Sequence, residues 1–264
     1  NLSLIIAEIL LMSVLSKSFC YVTLVFLFAC SKSPEEKEGK ASGCAAASLS
    51  EIFNGTTTRA FYYTYDNQGR VSRIDFDTKP SATYETYTYS ADRIVVSGTA
   101  LGNGTAIYEL DANGRVVKYG SATFSYNSEG YLTRFVESNG PHTTTVSFTY
   151  QNGNMVRVAQ VGNYGGPQPV TNNLLLEYDE ALAVPSIAPG DPLHLFGATR
   201  GVLASYFGKG SKNLVKKETA QTNTSADETR THSYTRDDKG NITLVRTVVS
   251  DGRVGEKRLT YTCQ

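Results

Sequence analysis

The stretch FYYTYDNQGRVSRI (residues 61–74) carries the pattern on which the fold rests. Phe61, Tyr63 and Tyr65 fall on one face of an extended chain, with Tyr62 and Thr64 on the other. Alternation with a period of two builds a strand of a sheet that is covered on one side and wet on the other. Asp66-Asn67-Gln68-Gly69 then fits a type I turn closed by glycine in the left-handed region. Val71 and Ile74 restart the apolar pattern, so the stretch predicts a complete β-hairpin.

The same unit recurs as IYELDANGRVVKY (107–119), FSYNSEGYLTRF (124–135), FTYQNGNMVRV (148–158) and YTRDDKGNITLV (234–245). YTYSADRIVV (87–96) is a further copy with Asp92 in place of the turn glycine. The turn glycines stand at 69, 114, 130, 153 and 240, a spacing too irregular for a strict solenoid. The expected fold is all-β: a curved antiparallel meander of hairpin repeats, forming an open sheet or half-barrel.

One segment departs from this pattern. Asp191-Pro192 followed by LHLFGATRGVLASYF (193–207) and Gly208 reads as a capped helix over 192–207, with Asp as N-cap, Pro as the first helical residue and Gly as terminator. Leu193, Phe196, Leu203 and Phe207 give it an apolar stripe. This helix is expected to pack on the apolar face of the sheet.

Composition narrows the partners. Among 264 residues, 25 Lys and Arg balance 25 Asp and Glu, which gives no electrostatic reason to expect a nucleic acid. The three histidines (142, 194, 232) are scattered without Cys or Glu at ligand spacing, so neither a metal nor a cofactor is expected. Seventeen Tyr and 23 Gly with no Trp suit many short strands and turns.

The amino end reads as a targeting segment. From Met12, taken as the probable start, Lys17 precedes an apolar run from Phe19 to Ala29, too short to span a bilayer of about 30 Å. Leu27-Phe28-Ala29-Cys30 resembles the lipobox of bacterial lipoproteins, in which the cysteine is lipidated and becomes the new N-terminus. Residues 1–29 are therefore read as a lipoprotein signal peptide, 30–50 as a flexible tether and 51–264 as one hairpin-repeat domain. With Cys30 consumed and Cys20 discarded, Cys44 and Cys263 are the remaining thiols in an oxidising compartment, and a disulfide between them is expected.

The Tyr-x-x-x-Gly-Arg units resemble distant YD repeats, which build the shells of large polymorphic toxins. From about residue 27 to 264, the order of motifs is similar to that of YD-like lipoproteins of the Bacteroidota: a lipobox, Tyr/Gly hairpins, the EYDE break (177–180), SKNLVKKET (211–219) and a terminal YTC (261–263). The resemblance implies an all-β envelope lipoprotein without assigned catalytic residues.

No G-x-S-x-G, H-E-x-x-H, phosphate loop or dinucleotide fingerprint occurs in the chain. A basic side chain does recur four residues after the turn glycine, as Arg73, Lys118, Arg134 and Arg157. With Tyr65, Tyr126 and Tyr150 these form a candidate ligand strip, suited to a glycan by stacking and bidentate hydrogen bonds. The plainer account is that long basic stems cover the sheet and deter edge pairing. The expected role is a non-enzymatic binding module for a glycan, a lipidic ligand or a partner protein. It would be held by Cys30 at the outer membrane, on its surface or periplasmic face. The alternative is an envelope hydrolase whose active site no motif discloses.

Overall fold

The computed structural model describes residues 43–163, 165, 168–183, 201–223 and 225–263. Cys30 and residues 192–200 of the expected helix lie outside them. The first eight strands are β1 (Cys44–Phe53), β2 (Thr56–Tyr65), β3 (Val71–Phe76), β4 (Tyr84–Tyr89), β5 (Arg93–Ser97), β6 (Thr105–Leu110), β7 (Val116–Tyr119) and β8 (Ala122–Tyr126). The second eight are β9 (Leu132–Asn139), β10 (His142–Gln151), β11 (Asn154–Asn163), β12 (Val170–Ala183), β13 (Asn213–Thr222), β14 (Ser225–Arg236), β15 (Ile242–Val249) and β16 (Val254–Cys263). Each pairs antiparallel with the next, and β1 pairs with β16, so the sheet closes into a barrel.

Closure corrects the open sheet or half-barrel expected from the sequence. Alternation describes a wall equally well whether its ends meet or not; what decides is a partner for the last edge. That partner is CAAASLSEIF (44–53), most of which had the small, polar look of a tether. Its pairing with β16 runs from Cys44↔Cys263 to Phe53↔Gly255, and with β2 from Ser48↔Tyr62 to Phe53↔Thr56. A closed barrel leaves no unpaired edge along the seam. Cys44 and Cys263 are joined by a disulfide at one end of it.

The expected helix over the sheet is likewise corrected: among the described residues no helix packs on the barrel wall. Gly201–Phe207 forms a 3-10 segment. Leu203 and Phe207 are buried, and the Phe207 ring stands edge-on to Tyr108 and Phe124, whose side chains face the lumen. The described part of the apolar stripe, Leu203 and Phe207, is satisfied inside the barrel instead of across an open face.

The turns explain why the hairpins form. At Asp66, the Gly69 N–H donates to the main-chain carbonyl while Oδ1 accepts from the N–H groups of Gln68 and Arg70. Asp111 and Asp237 repeat the arrangement. Gly69, Gly114 and Gly240 take φ of 76°, 73° and 84°, a region a side chain disfavours. A register shift follows in the strand pairs beside each of these turns, as between Thr64 and Tyr65.

The inward face is apolar and packed: Leu49, Ile74, Ile94, Leu132, Phe135 and Met155 are fully buried. Outward positions are mostly Thr, Ser, Arg, Lys and Glu, and among the described residues the exposed large apolar side chains are Phe53, Ile107, Val161 and Leu175. A transmembrane barrel has the reverse pattern, an apolar outer band about 25 Å tall around a polar interior.

Candidate functional sites in the wall and the lumen

The candidate strip divides between the two faces of the wall. Tyr65, Tyr126 and Tyr150 point inward and pack against the core. Arg73, Lys118, Arg134 and Arg157 lie on the outward parity, opposite Thr64, Glu109, Ser147 and Thr149 respectively. Arg73 clasps Asp75 through Nε and Nη2 at 3.0 and 2.7 Å, Lys118 reaches Glu109 at 2.8 Å, and Arg157 donates to Asn173 at 3.0 and 2.6 Å. The two sets therefore do not form one surface.

What the tyrosines do instead is regular. Tyr65, Tyr89, Tyr126, Tyr178, Tyr234 and Tyr261 each donate their O–H to a main-chain carbonyl on the strand just before their own. The acceptors are Ala46, Val71, Val116, Met155, Val215 and Ile242, at 2.6–2.9 Å. Each lies where a bulge disrupts the ladder, so the phenol supplies a donor that the sheet does not. Burial pushes the Tyr65 phenol up to about 12. Arg70 and Arg115 lie over the rings of Tyr89 and Tyr126, 4.3 and 4.5 Å from the centroids.

A second cluster lies in the lumen on three consecutive strands. His232 Nε2 is 3.0 Å from Glu218 Oε1, and Nδ1 is 2.9 Å from Thr247 Oγ1. The other Glu218 oxygen lies 3.6 Å from Arg230, which also pairs with Glu228, and Glu228 in turn pairs with Arg253. An acid, an imidazole and a hydroxyl in this order are what nucleophilic catalysis uses. Here Glu218, His232 and Thr247 are 1 %, 5 % and 6 % exposed, so the hydroxyl is buried among its partners. The cluster acts as a buried polar chain that ties β13 to β14 and β15. Motif reasoning missed it because 14 and 15 positions separate its members. The legible signal was parity: His232 shares the inward face with Tyr234, and Thr247 shares it with Val245.

A groove of about 880 Å³ lies against β6 and β7. Thr105, Ile107 and Glu109 line it from β6, Lys118 from β7, and Glu137 and Asn139 from β9. Lys118, a member of the predicted strip, thus borders this groove. Ile107 is 44 % exposed there. Burial raises the Glu137 carboxyl above the usual carboxylate range.

Residues 48–165 match the family model described as Teneurin YD-shell. No curated protein matches the chain. Among solved structures, a porin-like protein from Bacteroides uniformis ATCC 8492 is similar with a TM-score of 0.59 at 17% identity, over 84% of this chain and 98% of that one. A porin-like protein from Bacteroides vulgatus ATCC 8482 is similar with a TM-score of 0.61 at 10% identity, over 83% of this chain and 98% of that one. The YD-repeat resemblance read from the tyrosine and glycine hairpins agrees with the family match over residues 48–165, and the two solved structures share the fold.

Proposed function

We propose that this YD-repeat-like barrel is a lipid-anchored protein of the bacterial envelope that stands in water beside the membrane and acts by binding, not by catalysis or conduction. The observation that carries this reading is the direction of the wall. Its apolar residues face inward and fill the lumen, while its outer face is polar. A wall of that sense gives lipid nothing to solvate, and a packed lumen gives solutes no path. The lipobox-like Leu27-Phe28-Ala29-Cys30 supplies the membrane attachment that the wall does not, and the fold shared with porin-like Bacteroides proteins agrees with an envelope location.

Replacing Cys30 by Ser should abolish fatty-acid labelling and leave a protein that stays dispersed without detergent. Unchanged labelling, or a variant that still needs detergent, would overturn the anchor. The purified full-length protein should give no channel conductance in planar bilayers; steady single-channel steps would sink the water-facing reading. The buried Glu218–His232–Thr247 chain keeps a hydrolase in view as the second reading. Turnover of a peptide or polysaccharide substrate that is lost in Thr247→Val would replace binding by catalysis.

A further inference from the structure

The β7–β8 hairpin is too short for its place in the wall. β7 has four residues and β8 five, between a six-residue β6 and an eight-residue β9. The pairing of β6 with β7 covers Tyr108 to Leu110, so Thr105, Ala106 and Ile107 pair with β5 alone. On the far side β9 pairs with β8 only as far as Glu137, and Ser138 and Asn139 pair with β10 alone. The rim is therefore notched by two strand widths, with the turn at Gly120 and Ser121 as its floor. Three strand spacings of about 4.8 Å separate β6 from β9 here, roughly 14 Å. The 880 Å³ groove occupies this notch and continues down the outer wall past Lys118.

The notch exposes a strand edge with a definite polarity. The Leu110 N–H donates to the Asp92 carbonyl, toward β5. Main-chain groups of alternate residues point to opposite sides of a strand, so those of Ala106 also face β5, whereas Ile107 and Thr105 turn theirs to the notch. A row of N–H and C=O groups at strand spacing is matched by another extended backbone. Beside it stands the exposed Ile107 side chain, which suits a β-branched or aliphatic neighbour. The nearby cations are already engaged, Lys118 with Glu109 and Arg93 with Asp92, so charge alone would not hold an anionic ligand. Tyr119 is stacked on Tyr108 at 4.5 Å, which takes up one face of its ring. Half-buried Glu137, whose carboxyl is destabilised by burial, would be relieved by a donated N–H or a cation.

We infer that this notch is a docking site for a short extended segment of a partner protein, which adds as a strand to β6 at Thr105–Ile107 and brings a basic side chain toward Glu137. The inference rests on the binding-module reading and gives it a site and a class of partner.

The probes are fluorescent eight-residue peptides of alternating Val and Thr with one Lys at each position in turn. A matched set carries N-methyl groups on alternate backbone nitrogens. Binding is read by anisotropy with the full-length protein in micelles. At least one unmethylated peptide should bind saturably, and its methylated twin should bind about tenfold more weakly or worse, since it lacks main-chain donors. Thr105→Pro, which removes an N–H on the notch side at a first strand position, should weaken binding to a similar degree. Ile107→Glu supplies a second variant that leaves the backbone intact and should also weaken it. In the wild type the bound peptide should slow amide exchange at Thr105 and Ile107. No saturable binding by any peptide would overturn the inference. So would binding that survives methylation and both variants, or exchange protection confined to another part of the wall. The Cys30→Ser protein should bind the peptides as the wild type does, so a failure of the anchor and a failure of the notch are read separately.

Discussion

The inward tyrosines show how a single hydroxyl supports a bulged sheet. Removing the phenol oxygen of Tyr126 leaves the Val116 carbonyl without its side-chain donor, in a place water does not readily enter. Tyr126→Phe should cost about 1 kcal/mol, read from urea midpoints. Tyr62→Phe, on the outer face, should sit near zero. Asp75 provides a test with pH. Hydrogen bonds from Arg73 hold its carboxyl below the ordinary range, outweighing burial, and the Ser81 N–H adds to them. The folded value thus lies below the unfolded value near about 3.9. Its contribution is complete above that unfolded value and is lost as pH falls through the folded one. The stability difference between wild type and Asp75→Asn should therefore be full at about pH 6 and shrink toward about pH 2. A difference that stays constant across the range would reject this account.

Among elements, β1 carries the most consequence for its size. Its buried face holds only Cys44, Ala46 and Leu49, a modest apolar contribution, yet without it both β2 and β16 become open edges. The disulfide offsets that weakness by tying positions 219 apart in sequence. In the chain-entropy model, closing such a loop is worth about 5 kcal/mol at most, less any residual structure in the unfolded chain. Cys44→Ser with Cys263→Ser should lower the thermal midpoint substantially, and amide exchange should rise first in β1 and β16. Uniform exchange across all sixteen strands would show that the seam is held by its ladder and not by the bond. The β12–β13 connection has a complementary role, since Phe207 enters the lumen and packs against Tyr108 and Phe124.

At the scale of the molecule, barrel closure and the sense of the wall together separate shape from task. Sixteen strands are enough for a porin, and two solved structures of similar fold are described as porin-like. Fold alone does not carry that task over, because a pore needs a polar lumen and a lipid-facing exterior. Here the lumen is packed mainly with apolar side chains and the outer face is polar. Membrane association should therefore depend on Cys30 and not on the wall: high-salt or alkaline washing should leave the wild type bound, while the Cys30→Ser protein should appear in the soluble fraction. Wall-mediated insertion of that variant into vesicles would contradict the argument.

Hairpins, turn chemistry and the one-sided burial of each strand were legible in residues 61–74 and their copies, because a two-residue period and an Asp-x-x-Gly turn are local properties that propensity and sterics impose within a few positions. The separation of faces was legible too, although its consequence for Tyr65 and Arg73, that a ring and a guanidinium four places past the turn point oppositely, depends on the register across the bulge. Bulges beside the turns shift parity by one residue, and a one-residue shift exchanges the faces. Closure, the Glu218–His232–Thr247 chain and the notch between β6 and β9 belong to the tertiary structure alone. Each depends on which strands lie side by side and how far their pairings extend. Those are long-range choices made by packing the whole wall, and no single segment encodes them.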